Sequence, residues 1–446
     1  MVQISACIAA FAGLTFAAPS GLTPRDLAKP RNDPFYQVPA NISSYSPGQI
    51  INSRATPGPI GAAQQYTSVD IKASYQLLYR TTDALGNAAA AVCTVIIPDE
   101  PQYDKVLAYQ TAYDSSDPNC SPSYTLQQAS KQTSYDPLFM VAGLNQGWIV
   151  TTSDYEGLTA EFVSGLTSGY ATLDSIRATL ASTAITGVLS NATTTVWCYS
   201  GGALASEWAV ELQPTYAEEL QIAGAALGGL TPNVTNVLRN VNKGTFAYLA
   251  FAGINGLAAA YPDLATYVDQ VLVPERAAAF REINYYCTND SQAENGYSFQ
   301  DISTYFEGGF DALDSGVAQD VITNGATMGR RSTPTTPMFV YKASGDEVSH
   351  VEDTDALVAK YCAAGAKIEY QRNDVGEHVS EAILGSGAAI NYLIDRMNGV
   401  PQRAGCQTMD VTVTAPQSAR GFTANFLGIL NDILLAPVTP QSLQGI

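Results

Sequence analysis

The sequence is poor in cations and in histidine. Lys and Arg contribute 22 of its 446 residues and Asp and Glu contribute 41, so the net charge is −19. Nucleic-acid binding needs clustered cations to neutralise phosphates, and this balance therefore argues against a nucleic-acid partner. With two histidines and neither a His-Glu-x-x-His nor a paired Cys-x-x-Cys motif, most zinc chemistry is excluded. No glycine-rich phosphate loop follows a strand, so we expect neither a metal nor a cofactor.

Long apolar runs are also missing. The run at 2–16 is too short to span a bilayer, and no later segment reaches that length. It leads into small residues, which predicts a secretory signal peptide over 1–17 that is cut after Ala17. Residues 18–34 are polar and rich in proline and fit either a short propeptide or an ordered N-terminal arm. We therefore expect a secreted, extracellular protein without a transmembrane segment.

Export makes disulfides and glycans possible. Cys7 leaves with the signal peptide, and the six remaining cysteines allow about 15 pairings. Cys93 lies in an apolar run and Cys198 lies two residues before Ser200, so both are predicted to be buried thiols. The better disulfide candidates lie near polar turn residues: Cys120, Cys287, Cys362 and Cys406. The candidate glycosylation sites are Asn41, Asn191, Asn233 and Asn289.

Strand-like and helix-like segments alternate along the chain. Runs rich in β-branched and aromatic residues predict strands, and helical patterns separate several of them. This alternation indicates an α/β fold with a mostly parallel sheet covered by helices on both faces. The predicted strands are 69–79, 89–97, 106–110, 148–152, 193–197, 222–227, 338–341 and 368–371.

One region breaks the alternation. Between 229 and 330 no strand is predicted, while Leu, Ala, Phe and Tyr recur at helical spacing. We interpret it as a helical cap, or lid, inserted into a core formed by 35–228 and 331–406. The alternative is a helical domain with no role at the site. The tail, 407–446, contains an apolar stretch and fits either a packed extension or a flap.

The strongest catalytic signal surrounds Ser200. The predicted strand 193–197 leads into this serine, two glycines follow, and a helix-forming segment continues at once. A nucleophile elbow requires this strand–turn–helix context, so Ser200 is the predicted nucleophile. The tight turn needs small residues two places before and two places after the serine. Gly202 meets the second requirement, whereas Cys198 meets the first only in part and suggests a slightly opened turn.

A serine hydroxyl needs a base, and His378 is the predicted base. It lies in a loop near the C-terminal end, where the chain order serine, acid, histidine places it. His350 is interpreted as a surface residue. The predicted acid is Asp346, in the Gly-Asp turn that ends the strand 338–341, where it would hold the imidazole in its working tautomer. Glu347 is the alternative acid.

The oxyanion that develops when a serine attacks a carbonyl group needs preorganised donors. The Gly201 N–H is the first candidate because it follows the nucleophile. The second donor is expected from the loop after the strand 106–110. No His-Gly-Gly-Gly motif is present there, so any backbone N–H from 111 to 116 remains possible.

Together these motifs resemble the fungal secretory lipases of the lipase A type, which belong to the α/β-hydrolase superfamily. The resemblance extends over nearly all of the mature sequence, and many short blocks match in order. The matching blocks are Asp33-Pro34-Phe35-Tyr36, 77–82, 114–124, Ser153-Asp154-Tyr155-Glu156-Gly157, Tyr199-Ser200-Gly201-Gly202-Ala203, Asp346-Glu347-Val348 and Glu377-His378.

The resemblance implies an α/β-hydrolase fold and activity on acylglycerols, with Ser200, Asp346 and His378 as the triad. It implies Asp114 at the oxyanion hole beside Gly201, either through a protonated side chain or through its backbone N–H. It also implies a helical lid in the cap region. The implied disulfides are Cys120–Cys287 and Cys362–Cys406.

We therefore expect a monomeric serine hydrolase for lipid esters, of the triacylglycerol lipase type, that works at a lipid–water interface. A short-chain carboxylesterase or an acyltransferase of the same fold is the first alternative, and the sequence does not separate an acyltransferase from a lipase. A serine peptidase would need a site for a peptide terminus, and no clear acidic pair offers one. A non-catalytic relative usually lacks the nucleophile or the base.

Overall fold

The computed structural model describes residues 27–61, 70–127, 136–288, 290–314 and 316–435. The predicted signal peptide and Asn289 lie outside the described residues. The strands are β1 (Ile50–Ala55), β2 (Ile71–Thr82), β3 (Ala88–Pro98), β4 (Gln102–Gln110), β5 (Trp148–Ser153), β6 (Thr193–Tyr199), β7 (Ile222–Gly228), β8 (Met338–Ala343), β9 (Ile368–Asn373) and β10 (Cys406–Val411). The α-helices are α1 (Pro122–Thr125), α2 (Asp136–Leu144), α3 (Gly165–Ala181), α4 (Thr183–Thr186), α5 (Ser200–Tyr216), α6 (Val234–Val241), α7 (Ala247–Ala260), α8 (Pro262–Val271), α9 (Ala277–Glu282), α10 (Ser291–Tyr297), α11 (Gly316–Gly325), α12 (Val351–Ala363), α13 (His378–Leu384), α14 (Ser386–Met397) and α15 (Ala424–Leu435).

The strands form one sheet in the order β1-β2-β3-β5-β4-β6-β7-β8-β9-β10. The pairs β1–β2, β2–β3 and β3–β5 are antiparallel, and every pair from β5 through β10 is parallel. Each predicted strand overlaps an observed one, which confirms the mostly parallel α/β sheet. The two edge strands, β1 and β10, were not predicted from the sequence. Their residues are half-buried or exposed, so neither strand has the continuous apolar run from which a buried strand is predicted.

Alternation along the strands separates two apolar layers. In β6, Val196 and Cys198 belong to the layer beneath α3, α5 and α12, whereas Trp197 and Tyr199 belong to the layer beneath α2, α14 and α15. Successive side chains of a strand point to opposite faces, so a buried central strand carries apolar residues at every position. Helices consequently cover both faces of the sheet.

Between β7 and β8 the described residues form helices α6 to α11. These helices share an apolar cluster of their own around Phe251 and Phe280, which is joined from the core by Phe162 and Val348. Gly256 lets helix α7 approach the core closely, since a Cβ there would lie 2.5 Å from the backbone of Phe162. The helical segment therefore packs directly over the end of the sheet that carries Ser200. The exact bounds of the cap remain a prediction.

The segment expected to be a tail contributes to the core. β10 continues the sheet beyond residue 406 by pairing in parallel with β9. Helix α15 follows it and buries Phe426 and Leu430 in the layer that contains Trp197. Of the two interpretations of the tail, a packed extension describes residues up to 435. Within the described residues, no helix is long and apolar enough to cross a membrane.

Candidate active site

Ser200 lies on a strained turn between β6 and α5. Its φ of +51° is in the left-handed region, where residues other than glycine are uncommon. Strand and helix meet so closely that a Cβ on Gly202 would lie 2.0 Å from the carbonyl oxygen of Gln110. A glycine is therefore required two residues after the serine. This backbone presents the serine hydroxyl at the C-terminal end of the central strand β6, as in a nucleophile elbow.

Cys198 is accommodated inside the sheet layer. Its Sγ is fully buried and lies 3.6 Å from the carbonyl oxygen of Ala226 on the neighbouring strand β7. Burial raises its pKa, and that of the buried thiol Cys93, so both remain protonated and unreactive.

Three side chains from distant parts of the chain form a continuous hydrogen-bonded line. Ser200 Oγ lies 2.7 Å from His378 Nε2, and His378 Nδ1 lies 2.6 Å from Asp346 Oδ2. Because an ionised carboxylate can only accept, Nδ1 carries the proton and Nε2 accepts from the serine hydroxyl. His378 begins α13 and Asp346 lies in the loop after β8. The geometry is that of a serine nucleophile, its base and an orienting acid.

The alternative candidates lie elsewhere. His350 is exposed and precedes the first residue of α12. Glu347 accepts a hydrogen bond from the backbone N–H of His378 at 2.8 Å, which positions the start of α13 but does not contact the imidazole nitrogens. The sequence choice of His378 and Asp346 is thus the choice that the described geometry brings to Ser200.

Asp346 is ionised although it is buried. Burial alone would raise its pKa, but the charges and hydrogen bonds of His378 and Lys342 outweigh burial and hold the pKa well below its usual range. Lys342 Nζ lies 2.8 Å from Asp346 Oδ2, and both side chains are fully buried. Sequence reasoning missed Lys342. The sequence offered one signal, because Lys342 directly follows the apolar run of the predicted strand 338–341. An unpaired charge at such a buried position is costly.

Asp114 faces the nucleophile from the loop after β4. Its φ is +42°, and a Cβ on Gly201 would lie 1.7 Å from its Oδ1, so the carboxyl group lies directly against the Gly201 backbone. Oδ1 is buried and has no hydrogen-bond partner among the described residues. Burial, then the charge of Asp136, raises the pKa of Asp114 to about 7, against an opposing effect of His378. A protonated Asp114 could donate a hydrogen bond towards the same space as the Gly201 N–H.

The Asp114 loop is tied to the cap. The disulfide Cys120–Cys287 joins them, with its Cα atoms 5.4 Å apart. Thr288 Oγ1 donates within this junction, at 2.7 Å from the carbonyl oxygen of Asp114, and Ser115 Oγ donates to the Tyr286 carbonyl at 3.0 Å. These bonds hold the loop in the conformation that its left-handed residue needs.

The N-terminal arm braces the same loop. Arg31 forms an ion pair with Asp117 at 3.0 Å, and its guanidinium donates to the carbonyl oxygen of Asn284 in the cap at 3.1 Å. The second disulfide, Cys362–Cys406, lies away from this loop and joins α12 to β10. Both pairings are those that the resemblance implies.

Two further buried acids lie below the Asp114 loop. Burial raises the pKa of Asp154 to about 7 and that of Glu156 well above its usual value, to which the charge of Asp114 adds. Asp154 accepts from the backbone N–H of Ser123 at 2.8 Å and lies 2.5 Å from its Oγ. No group of three His, Cys, Asp or Glu side chains within the described ranges is arranged to hold a metal ion.

Two cavities meet at Ser200. The first has about 690 Å³ of empty space between the cap and the core, and only Asp114, Ser200 and Thr231 add polar side chains to its lining. Helices α6 and α7 supply most of its apolar wall. The second cavity contains His378 together with polar groups such as Thr288 and Glu294.

The profile of the Secretory lipase family matches residues 123–405. Lipase A of Arthroderma benhamiae is 36% identical over 425 residues, which cover 92% of this chain and 89% of that protein. The chain belongs to the secretory lipase family. It is a carboxylic ester hydrolase of the triacylglycerol lipase type.

Other members extend the comparison. Lipase 1 of Candida albicans is 36% identical over 97% of this chain and 93% of its own length. The trichothecene C-3 esterase of Fusarium sporotrichioides is 35% identical over 86% of this chain and 88% of that protein. The crystal structure of Candida antarctica lipase A in its closed state superposes with a TM-score of 0.82 at 28% identity, over 92% of this chain and 96% of that one. This likeness confirms the α/β-hydrolase fold of the secretory lipase.

Proposed function

We propose that this secretory lipase is exported and hydrolyses acylglycerol esters through Ser200, His378 and Asp346. The observation that carries the proposal is the line from Ser200 Oγ to His378 Nε2 at 2.7 Å and from His378 Nδ1 to Asp346 at 2.6 Å, at the floor of an apolar cavity. A serine at the end of such a line can be deprotonated as it attacks a carbonyl carbon.

In the first half-reaction His378 takes the proton of Ser200 while Oγ bonds to the ester carbonyl carbon. The oxyanion accepts from the Gly201 N–H and from protonated Asp114. The tetrahedral intermediate collapses when the imidazolium gives its proton to the leaving alcohol, so an acyl-enzyme remains. Water, deprotonated by the same imidazole, then attacks this ester. The acid leaves and Ser200 regains its proton.

The cap sets the proposed substrate class. Its helices α6 and α7 form the apolar wall above Ser200, so we assign the first cavity to the acyl chain and the cap to the role of a lid at a lipid surface. The trichothecene C-3 esterase among the relatives supports the second candidate, a short-chain carboxylesterase. The apolar lining of the first cavity favours the lipase.

The test is hydrolysis of p-nitrophenyl esters from acetyl to palmitoyl by the wild type and by Ser200→Ala. Loss of the nucleophile should lower kcat by about 10⁴-fold or more. Ser206→Ala is a matched control, because Ser206 lies on the same helix and is fully buried away from substrate. Retained turnover in Ser200→Ala would refute the triad. Activity confined to the acetyl and butyryl esters would support the short-chain esterase.

A further inference from the structure

A fully buried lysine is bound to the acid of the proposed triad. Lys342 lies on β8, four residues before Asp346, and neither side chain is accessible to solvent. Its Nζ is 2.8 Å from Asp346 Oδ2 and 2.9 Å from the carbonyl oxygen of Leu230. Leu230 follows β7, so the ammonium bridges two neighbouring strand ends beneath the catalytic residues. The hydrolysis scheme above does not use this group.

The lysine and the histidine share one carboxylate oxygen. Oδ2 of Asp346 accepts from His378 Nδ1 at 2.6 Å and from Lys342 Nζ at 2.8 Å. Oδ1 accepts from the backbone N–H groups of Val348 and Ser349 at 3.0 and 2.8 Å. Four donors therefore surround two oxygens, which fixes the carboxylate in its plane and leaves it no other orientation. The ion pair also gives the aspartate and lysine a combined charge of zero.

This neutralisation bears on how easily His378 loses a proton. An isolated buried carboxylate stabilises the imidazolium strongly, because charges interact at short range with little screening by water. A cation bound to the same oxygen opposes that stabilisation. With Lys342 in place, Asp346 still orients the imidazole, but it attracts the imidazolium less.

We propose that Lys342 is a positioning residue that holds Asp346 in place and weakens the attraction between this carboxylate and the His378 imidazolium. The proposal rests on the proposed function, since it assumes that these three residues form the triad. It gives a physical role to a residue whose burial would otherwise be costly: an ammonium in an apolar layer is tolerated only when it is paired.

The other ionisable groups around the triad are mostly carboxyls. Glu347 accepts a hydrogen bond from the His378 backbone N–H. Burial lowers the pKa of Lys342, and the charges of Asp346, Asp353 and Glu347 oppose this shift. Glu381 approaches from α13, and burial raises its pKa to about 7, as it does for Asp114 on the cavity side. Glu381 and Asp114 are therefore protonated in acid and add little charge there. Tyr199 donates to the His378 carbonyl and stays neutral, because burial raises its pKa.

The experiment measures kcat/KM for p-nitrophenyl butyrate from pH 4 to pH 9, with the product read after quenching. The variants are Lys342→Gln, which can still donate to the same acceptors without a charge, and Lys342→Met, which cannot. The acid limb of kcat/KM reports the protonation of the base in the free enzyme. We expect the acid limb of Lys342→Gln to lie about one to two pH units above that of the wild type. At a pH on the wild-type acid limb, kcat/KM of the variant should therefore be lower by about ten- to a hundredfold. Above the new midpoint, kcat/KM of Lys342→Gln should approach that of the wild type at the same pH.

Lys360→Gln is the matched control, because it removes the same charge from an exposed position on α12. Its pH profile should follow that of the wild type. Circular dichroism verifies the fold of each variant. An unmoved acid limb in folded Lys342→Gln, even with lower activity at every pH, would reduce Lys342 to a structural residue and overturn the proposal. Unfolding of both Lys342 variants would do the same.

Failure of the proposed function would look different. The wild type would then show no ester hydrolysis, or Ser200→Ala would retain it. If hydrolysis depends on Ser200 and only the shift of the acid limb is missing, the triad stands and the role of Lys342 falls.

Discussion

The protonation state of Asp114 is expected to control kcat/KM above neutral pH. Its Oδ1 is buried, lies against Gly201 and has no hydrogen-bond partner among the described residues. A carboxyl group can donate to an oxyanion only when it is protonated, whereas a carboxylate would repel that charge. Burial, with the charge of Asp136, raises the pKa of Asp114 to about 7, so the donor is present in acid and is lost as the pH rises.

The size of the effect follows from that pKa. About 99% of Asp114 is protonated at pH 5 and about 1% at pH 9. Because one oxyanion donor is worth about 10²–10³ in rate, wild-type kcat/KM should fall about tenfold per pH unit above 7 and level off two to three units later. Asp114→Asn donates through an amide at every pH, and asparagine tolerates the left-handed backbone of this position. Its kcat/KM should therefore stay flat where that of the wild type falls.

The assay is pH-stat titration of tributyrin hydrolysis between pH 5 and pH 9 by the wild type, Asp114→Asn and Asp114→Ala. The alanine variant should be slower by about 10²–10³ at pH 6. Asp114→Gly accompanies it as a control for the left-handed backbone. An alanine variant within a few-fold of the wild type would assign the second donor to the backbone N–H of residue 114. An alkaline limb unchanged in Asp114→Asn would refute the protonated side chain.

Two further predictions concern stability and chain length. Burial raises the pKa of Asp154 to about 7 in the folded protein, above an unfolded value near 4. The contribution of Asp154 to stability is therefore complete below about pH 4 and is lost as the pH rises to about 7. The loss is up to about 4 kcal/mol. Thermal unfolding should show the Tm of the wild type falling over that pH window. The Tm of Asp154→Asn should fall less, because its amide reproduces the bonds of the protonated acid to Ser123. Equal slopes of Tm against pH in the two proteins would contradict this prediction. Ala250→Phe fills the apolar cavity and should reduce palmitoyl ester hydrolysis by about tenfold or more while acetyl ester hydrolysis changes little. Ala259→Phe, at an exposed position of the same helix, is the control and should retain both activities. An equal loss of acetyl and palmitoyl ester hydrolysis in Ala250→Phe would argue against the assignment of the cavity to the acyl chain.

Local patterns in the sequence predicted the central part of the fold. The inner strands could be recognised because they are buried on both faces and therefore read as continuous apolar runs, such as the one that ends at Tyr199. β10 could not be recognised, because its residues are half-buried or exposed and pair only along one edge. The helix α15 was visible as an apolar stretch, but nothing in the stretch itself said that Phe426 and Leu430 would pack into the core.

For the site, the sequence by itself determined which side chains could do the chemistry. With two histidines in the chain and one strand–turn–helix serine, the order of Ser200, Asp346 and His378 left few alternatives. Tertiary structure alone decided that residues 178 positions apart lie 2.7 Å from each other, and that the Asp114 loop is fastened to the cap. It also decided which acids are ionised, because the pKa of a carboxyl depends on its burial and on neighbours distant in sequence. The pKa of Asp346 is lowered beside His378 and Lys342 and that of Asp114 is raised by burial against Gly201, a difference that no spacing of residues along the chain encodes.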